Sequence, residues 1–175
     1  MAPISLLLVD DHPAFLRIAT NFLQEHYTEE VVVVGAARGG EEGLVQALDL
    51  QPDMVLCDLT MPGLSGLETI PRLRAALPDV GIIALSCHEA NGYREAALAA
   101  GADDFVPKAS MISELFPAIL RVMQTRQRQE KRLDTQPSSQ LPLIPSFPSH
   151  PPPLPSPRWG EGGEGEGAEG RMKKH

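Results

Sequence analysis

Residues 55–63 read Val-Leu-Cys-Asp-Leu-Thr-Met-Pro-Gly, and the interpretation of the whole chain depends on this stretch. An apolar run of strand length ends in the carboxylate of Asp58, after which Pro62 and Gly63 favour a turn. Asp58 is therefore predicted to stand at the carboxyl end of a buried strand, the edge at which open parallel α/β sheets bind ligands. The alternative is that Asp58 only caps the helix that follows.

The same arrangement recurs along the first 133 residues. Apolar runs of strand length begin near residues 4, 31, 54, 80 and 104, and each is followed by a segment with apolar residues at helical spacing. Five strand–helix units with short connections predict an α/β fold, a doubly wound parallel sheet flanked by five helices. The valines Val31–Val34 are predicted to form a buried strand, and the last helix is predicted to end near Arg128.

Local signals mark two of the helix ends. Ser65 and Glu68 have the spacing of a capping box, which predicts the start of the third helix. Pro71 falls inside that helix, so we expect either a kink or a late start. Gly101 is suited to end the fourth helix with a positive φ angle.

Polar residues follow three other predicted strands. Asp10 and Asp11 come after the first strand, Ser86 after the fourth and Lys108 after the fifth. Because the carboxyl ends of parallel strands lie at the same edge of a sheet, these side chains are predicted to converge with Asp58. Taken singly, each has a simpler explanation: the acids start a helix, Ser86 caps one, and Lys108 is an exposed charge. Their joint occurrence at strand ends favours a shared pocket.

The predicted pocket has the residue types that phosphoryl transfer to a carboxylate requires. Three carboxylates held together repel one another unless a cation joins them, and Mg²⁺ prefers such oxygen ligands. A carboxylate can attack phosphorus to give an aspartyl phosphate. The charge of the transferring group is then spread over the metal, an ammonium such as that of Lys108, and a hydroxyl such as that of Ser86.

Composition excludes several classes of protein. The net charge is −8, and residues 1–133 hold eleven basic against eighteen acidic side chains, which disfavours direct binding to nucleic acid. Two cysteines suit a reduced compartment and offer no disulfide framework. The apolar run at the N-terminus breaks at Asp10, so neither a signal peptide nor a membrane span is expected there, and we expect a cytoplasmic protein.

Four segments together resemble the receiver domains of bacterial two-component response regulators. The segments are residues 7–13 (LLVDDHP), 57–68 (CDLTMPGLSGLE), 84–88 (ALSCH) and 101–108 (GADDFVPK). The resemblance covers residues 4–127 and is greatest to receivers that precede LuxR-type output domains. It implies the flavodoxin-like strand order 2-1-3-4-5.

The resemblance also implies a role for each polar residue of the pocket. Asp58 would be the phosphoacceptor, and Lys108 would contact the phosphoryl group. Asp10, Asp11 and Asp58 would hold Mg²⁺ together with the backbone carbonyl of Thr60.

A switch is implied beside the phosphoacceptor. Ser86 would be the hydroxyl that moves toward the phosphoryl group, and Phe105 the aromatic ring that turns inward when Ser86 moves. Simple core packing explains Phe105 equally well. Thr60 and His88 occupy positions expected to tune dephosphorylation. The family lysine is commonly followed by a cis proline, whereas Ala109 follows Lys108, which leaves the isomer of that peptide bond open.

The function implied is a phosphorylation switch in two-component signal transduction. A histidine kinase or a histidine phosphotransfer protein would supply the phosphoryl group, and the output would be contact with an unknown downstream protein. A homodimer through the face formed by helix 4, strand 5 and helix 5 is a further possibility. The protein would not be an enzyme beyond its own phosphorylation and dephosphorylation.

Two other functions are alternatives to the switch. One is a transcription regulator whose DNA-binding output domain is lost or supplied by a partner. The other is a Mg²⁺-dependent phosphatase, which is disfavoured because Thr60 stands where the common phosphatase pattern needs a second aspartate.

Residues 134–175 differ in composition from residues 1–133. They contain nine prolines and six glycines with almost no apolar periodicity, which predicts a disordered tail after a receiver domain of residues 1–133. Residues 142–157 are typical of polyproline II, and residues 160–170 of a flexible acidic run. The proline-rich part is either a docking segment for a partner or an extension without a role.

Overall fold

A computed structural model describes residues 2–87 and 91–134 of the chain. Its strands are β1 (Ile4–Val9), β2 (Val31–Ala37), β3 (Met54–Asp58), β4 (Gly81–Ser86) and β5 (Asp104–Pro107). Its helices are α1 (Pro13–His26), α2 (Gly40–Leu50), α3 (Gly66–Ala76), α4 (Asn91–Ala100) and α5 (Met111–Asp134), with a 3₁₀ turn at Lys108–Ser110 before α5. The alternation predicted from the apolar runs is therefore confirmed.

The strands form one parallel sheet in the order β2-β1-β3-β4-β5, as the resemblance implied. The register aligns Val9 of β1 with Cys57 of β3, Cys57 with Ala84 of β4, and Ala84 with Phe105 of β5. Asp10 and Asp58 come one residue after this row, Ser86 comes two residues after it and Lys108 three, so all four lie at the carboxyl edge of the sheet. This single row of partners determines which side chains can meet there.

The sheet is covered on both faces. Leu6 and Leu8 of β1 pack with residues of α1 and α5, while Leu7 and Val9 pack with residues of α2, α3 and α4. Alternate residues of a strand point to opposite faces, so a strand covered on both sides must be apolar at every position. This explains the unbroken apolar run of residues 6–9, which are all buried and follow the partly exposed Ser5.

The prediction of a fully buried second strand was wrong. Val32 and Val34 are 39% and 37% exposed, because β2 is an edge strand with β1 as its only neighbour in the sheet. The four valines reflect the β propensity of branched side chains as much as burial.

The last helix is longer than predicted. It continues past Arg128 to Asp134, because the added residues are mostly good helix formers such as glutamine, arginine and lysine. Apolar periodicity predicted only the part of α5 that packs on the sheet.

The local signals at α3 and α4 are mostly confirmed. The Glu68 carboxylate accepts hydrogen bonds from the backbone N–H of Ser65 (3.1 Å) and from its hydroxyl (2.7 Å), as in a capping box. Helix α3 begins directly at Gly66 and contains Pro71 without a break, so the late start is wrong. Gly101 has a φ of +112° and ends α4 by donating its N–H to the carbonyl oxygen of Leu98 (3.1 Å).

None of the described helices is long and apolar enough to cross a membrane.

Candidate functional site

The register of the sheet brings the predicted polar residues to one edge. Asp10 directly follows Val9, and Asp58 directly follows Cys57, the partner of Val9. Ser86 is paired with Pro107, so Lys108 comes one residue beyond that pair. Asp10, Asp58, Ser86 and Lys108 thus end four neighbouring strands or follow them directly, as the sequence predicted.

Lys108 connects the two buried carboxylates. Its Nζ lies 2.5 Å from Asp10 Oδ2 and 3.0 Å from Asp58 Oδ2. The side chain of Lys108 is only 8% exposed, and those of Asp10 and Asp58 are 1% and 3% exposed. Two negative charges and one positive charge are therefore held out of water, so the cluster keeps a net negative charge when all three groups are ionised.

Phe15 covers the ammonium group of Lys108 from the first turn of α1. The distance from Lys108 Nζ to the centroid of the ring is 4.5 Å, which is within the range of a cation–π contact. Pro13 begins α1 and places Phe15 two residues later, while the rest of the ring packs on the core between α1 and α5. Phe15 was not among the site residues predicted from the sequence, because its apolar side chain is typical of a core residue.

His12 and Asp11 form the exposed rim of the site. The Nδ1 atom of His12 lies 3.3 Å from Asp10 Oδ1 and 3.1 Å from Asp11 Oδ1. The backbone N–H of His12 donates to Asp10 Oδ1 (2.9 Å), which fixes the orientation of that carboxylate. Sequence reasoning did not include His12 in the site, although it directly follows the acidic pair.

The surroundings of the site shift the pKa values of its groups. Burial raises the pKa of Asp58 above its ordinary value of 3.8, and Asp10 adds to this, while the hydrogen bond and charge of Lys108 oppose it. Burial by itself lowers the pKa of Lys108, but contacts with Asp10 and Asp58 outweigh burial and raise it. Burial, followed by the charges of Asp58 and Asp10, raises the pKa of Cys57 to about 12, so its thiol stays protonated.

The carboxylates fit a small divalent cation. Ligand atoms of Asp10, Asp11, His12 and Asp58 all lie within 4.8 Å of one another. Two buried oxygens, Asp10 Oδ2 and Asp11 Oδ1, accept no hydrogen bond of normal geometry from the described residues, although Lys108 and His12 lie near them. Such oxygens suit Mg²⁺, which uses few carboxylates and keeps several waters.

The backbone around Asp58 is closely packed. The N–H of Thr60 points to Asp58 Oδ1 over 3.4 Å, so the loop turns back over the carboxylate. A Cβ atom at Gly66 would come within 2.0 Å of the carbonyl oxygen of Asp58 and 2.7 Å of Leu59 Cα. The glycine at the start of α3 therefore allows the helix to pack directly against the backbone of the predicted phosphoacceptor.

The two predicted switch residues lie inside the sheet. Ser86 is fully buried at the end of β4, and Phe105 is 4% exposed in the middle of β5, among the residues that pack on α2, α3 and α4. The guanidinium of Arg94 lies 5.9 Å from the centroid of the Phe105 ring. The inward position of Phe105 agrees with core packing, the alternative to a switch role.

The peptide bond between Lys108 and Ala109 is trans. The predictions for His88 and for the tail lie outside the described residues.

Comparison with known proteins identifies relatives of the whole sheet and its helices. Residues 6–120 match the family described as the response regulator receiver domain. The chain is 38% identical over 133 residues to the transcriptional activator protein ExaE of Pseudomonas putida, covering 76% of this chain and 61% of ExaE. It is 37% identical over 117 residues to the nitrate/nitrite response regulator NarL of Escherichia coli K12, covering 67% of this chain and 53% of NarL. The chain thus spans little more than half the length of these relatives.

The fold is also similar to solved structures. The signal receiver domain of the putative response regulator NarL from Mycobacterium tuberculosis superposes with a TM-score of 0.64 at 28% identity. The superposition covers 69% of this chain and 96% of that domain.

Proposed function

Because the chain belongs to the receiver domains of two-component response regulators, we propose that Asp58 is its phosphoacceptor and that the acidic edge of its sheet holds Mg²⁺. The observation that carries this proposal is the cluster of Asp10, Asp58 and Lys108. The cluster is buried and lies at the carboxyl edge of a parallel sheet, with one ammonium between two carboxylates and a third carboxylate, that of Asp11, beside them. Charge pairing with Lys108 alone leaves a net negative charge, whereas a divalent cation and a phosphoryl group would use it.

The proposed reaction is a displacement at phosphorus. An oxygen of ionised Asp58 attacks the phosphorus atom, a new P–O bond forms, and the bond from phosphorus to the donor breaks with its electron pair leaving on the donor. When bound by Asp10, Asp11, Asp58 and the carbonyl of Thr60, Mg²⁺ would neutralise part of the charge on the phosphoryl oxygens. Lys108 keeps its ammonium beside Asp58 and offers its N–H groups to those oxygens.

We propose that Ser86 and Phe105 respond to the phosphoryl group. Ser86 ends β4 one residue past Leu85, the sheet partner of Asp58, so its hydroxyl is well placed to donate to a new oxygen on Asp58. Phe105 belongs to the next strand and lies under Arg94 of α4. A displacement of Ser86 would therefore be felt at α4 and β5, where the downstream partner or a second copy of the domain would bind.

The proposed partners follow from the proposed chemistry. A histidine kinase or a histidine phosphotransfer protein would supply the phosphoryl group by losing its P–N bond. The output would be a changed protein–protein contact, because the acidic composition of residues 1–133 disfavours contact with nucleic acid. On this proposal the protein works in the cytoplasm, and its activity is limited to its own phosphorylation and dephosphorylation.

Labelling with acetyl phosphate tests the proposal. The chain with Mg²⁺ should gain the mass of one phosphoryl group, and the gain should disappear with EDTA or in Asp58→Asn. Asp53→Asn is a matched control, because Asp53 lies before β3, at the opposite edge of the sheet, and accepts hydrogen bonds from Ser5. Equal labelling of wild type and Asp58→Asn would overturn the assignment of Asp58.

A second measurement addresses the switch. Ser86→Ala should still be labelled at Asp58, but its labelling should change hydrogen exchange in α4 and β5 less than labelling of the wild type does. Identical changes in the two proteins would contradict the role of Ser86.

A further inference from the structure

Phe15 differs from the acidic residues of the site because it contacts Lys108 without carrying a charge. The ammonium lies 2.5 Å from the carboxylate of Asp10, 3.0 Å from the carboxylate of Asp58, and 4.5 Å from the centroid of the Phe15 ring. With 8% of the lysine side chain exposed, water has little access to the ammonium. The ring therefore forms one wall of a nearly closed pocket for a cation.

The two carboxylates cannot hold Lys108 in the same way throughout the proposed reaction. Once Asp58 carries a phosphoryl group, its carboxylate has become an acyl phosphate, and the negative charge lies on the phosphoryl oxygens instead of on the carboxylate oxygen that faced Lys108. Asp10, which the proposed function assigns to Mg²⁺, would then share its charge with the metal. The aromatic ring has no titratable group and is not changed by phosphoryl transfer, so its attraction for the ammonium persists.

The backbone positions of Phe15 and Lys108 are determined by the two elements that carry them. Pro13 begins α1 and holds the turn that carries Phe15, while Lys108 begins the short 3₁₀ turn after β5. The ring is anchored on the core between α1 and α5. It is thus a rigid surface, whereas the long side chain of Lys108 has several rotatable bonds whose freedom must be restricted before it can meet a phosphoryl oxygen.

We propose that Phe15 is a positioning residue for Lys108, holding the ammonium over the phosphoacceptor by a cation–π contact before and after the phosphoryl group arrives. This inference rests on the proposed function, because it assigns to Lys108 the contact with the phosphoryl oxygens. Phe15 itself touches no reacting atom. Its effect on the rate passes through Lys108 alone.

Labelling rates of paired variants test the proposal. Phe15→Leu keeps an apolar side chain but removes the ring, while Phe15→Tyr keeps the ring face. A contact of this kind corresponds to a roughly 2- to 30-fold change in rate, so Phe15→Leu should be labelled by acetyl phosphate that much more slowly. Phe15→Tyr should stay within about twofold of wild type on the same reasoning.

A double-mutant cycle separates positioning from general packing. In the Lys108→Met background, replacing Phe15 by Leu should have no further effect on the rate. The inference would be overturned if Phe15→Leu slowed labelling by the same factor in the wild-type and Lys108→Met backgrounds. It would also be overturned if Phe15→Leu were labelled at the wild-type rate. Absence of labelling in the wild type would instead reject the proposed function, so the two failures are distinguishable.

A measurement on the wild type covers the case in which Phe15→Leu does not fold. The ring should shift the ε-methylene protons of Lys108 upfield in the NMR spectrum, and Lys108 is one of only four lysines in the chain. The shift should persist when Mg²⁺ and beryllium fluoride are added as a phosphoryl mimic. Loss of the shift in the mimic complex would show that the ring does not hold Lys108 after transfer, and would overturn the proposal.

Discussion

Replacing Lys108 by methionine should strongly destabilise the metal-free protein. The substitution removes the ammonium that lies 2.5 Å from Asp10 and 3.0 Å from Asp58, and leaves both carboxylates buried without it. Breaking a buried ion pair by removing one partner typically costs about 3–5 kcal/mol. For a domain of this size that corresponds to a fall in melting temperature of roughly 10–20 °C.

The effect of pH on the stability difference between Lys108→Met and wild type follows from the pKa of Asp58. Burial raises the pKa of Asp58 in the folded state above the ordinary value of 3.8. Ionisation of Asp58 therefore disfavours folding when the pH is above that value. Loss of Lys108 removes the group that opposes this shift and raises the pKa further. The destabilisation should therefore be full at neutral pH and should shrink as the pH falls toward 4, because Asp58 then takes up a proton.

Thermal unfolding followed by circular dichroism measures the effect, in EDTA and in Mg²⁺. Mg²⁺ should restore part of the lost stability, because the cation replaces the missing charge beside the carboxylates. Asp58→Asn in the Lys108→Met background should also restore part of it, since one of the two carboxylates is then removed. Lys131→Met, which changes an exposed lysine of α5, is the control for the loss of one positive charge.

Three outcomes would refute this reasoning. One is a melting temperature of Lys108→Met within about 3 °C of wild type at neutral pH, which corresponds to no more than ~1 kcal/mol. The second is a melting temperature of Lys108→Met that does not rise when Mg²⁺ is added. The third is a melting temperature of Lys108→Met that does not rise when Asp58→Asn is introduced. Each would mean that the ion pairs of Lys108 do not compensate the buried charges.

Two further predictions concern packing and the domain boundary. Gly66→Ala should lower the free energy of unfolding in urea by about 1–3 kcal/mol, because the new Cβ overlaps the carbonyl of Asp58. Gly92→Ala, with no atom within 4 Å of the new Cβ, should instead stabilise α4 by up to ~1 kcal/mol, and equal effects of the two would contradict the packing argument. Removing the residues after Asp134 should leave the melting temperature and the labelling of Asp58 unchanged, since their composition offers too little apolar surface to offset the entropy of ordering. A melting temperature lowered by several degrees would show that the boundary between 1–133 and 134–175 is misplaced.

The order of the elements and the location of the site could be predicted from the sequence. Continuous apolar runs such as residues 6–9 indicate strands covered on both faces, and the alternation with helical periodicity predicts a parallel sheet. A parallel sheet gathers the carboxyl ends of its strands at one edge. The residues that follow those runs, Asp10, Asp58 and Lys108, were therefore predicted to lie at that edge, and the strand order implied by the resemblance brings their strands close together.

Other features depended on contacts between distant parts of the chain. The exposure of Val32 and Val34 depends on β2 lying at the edge of the sheet, which no property of the valines themselves reveals. The length of α5 beyond Arg128 is different, because it reflects local helix propensity, which the apolar pattern of the packed part of the helix does not show.

The contact of Phe15 with Lys108 is the clearest case in which only the tertiary structure decided the outcome. Periodicity along α1 correctly indicates that Phe15 faces the sheet, but the same pattern describes every core residue of that helix. The sequence by itself determined that an ammonium and three carboxylates would share one edge. Only the folded arrangement of α1 and the turn after β5 placed an aromatic face 4.5 Å from that ammonium, because such a distance is determined by how the elements pack together and not by the residues of either element alone.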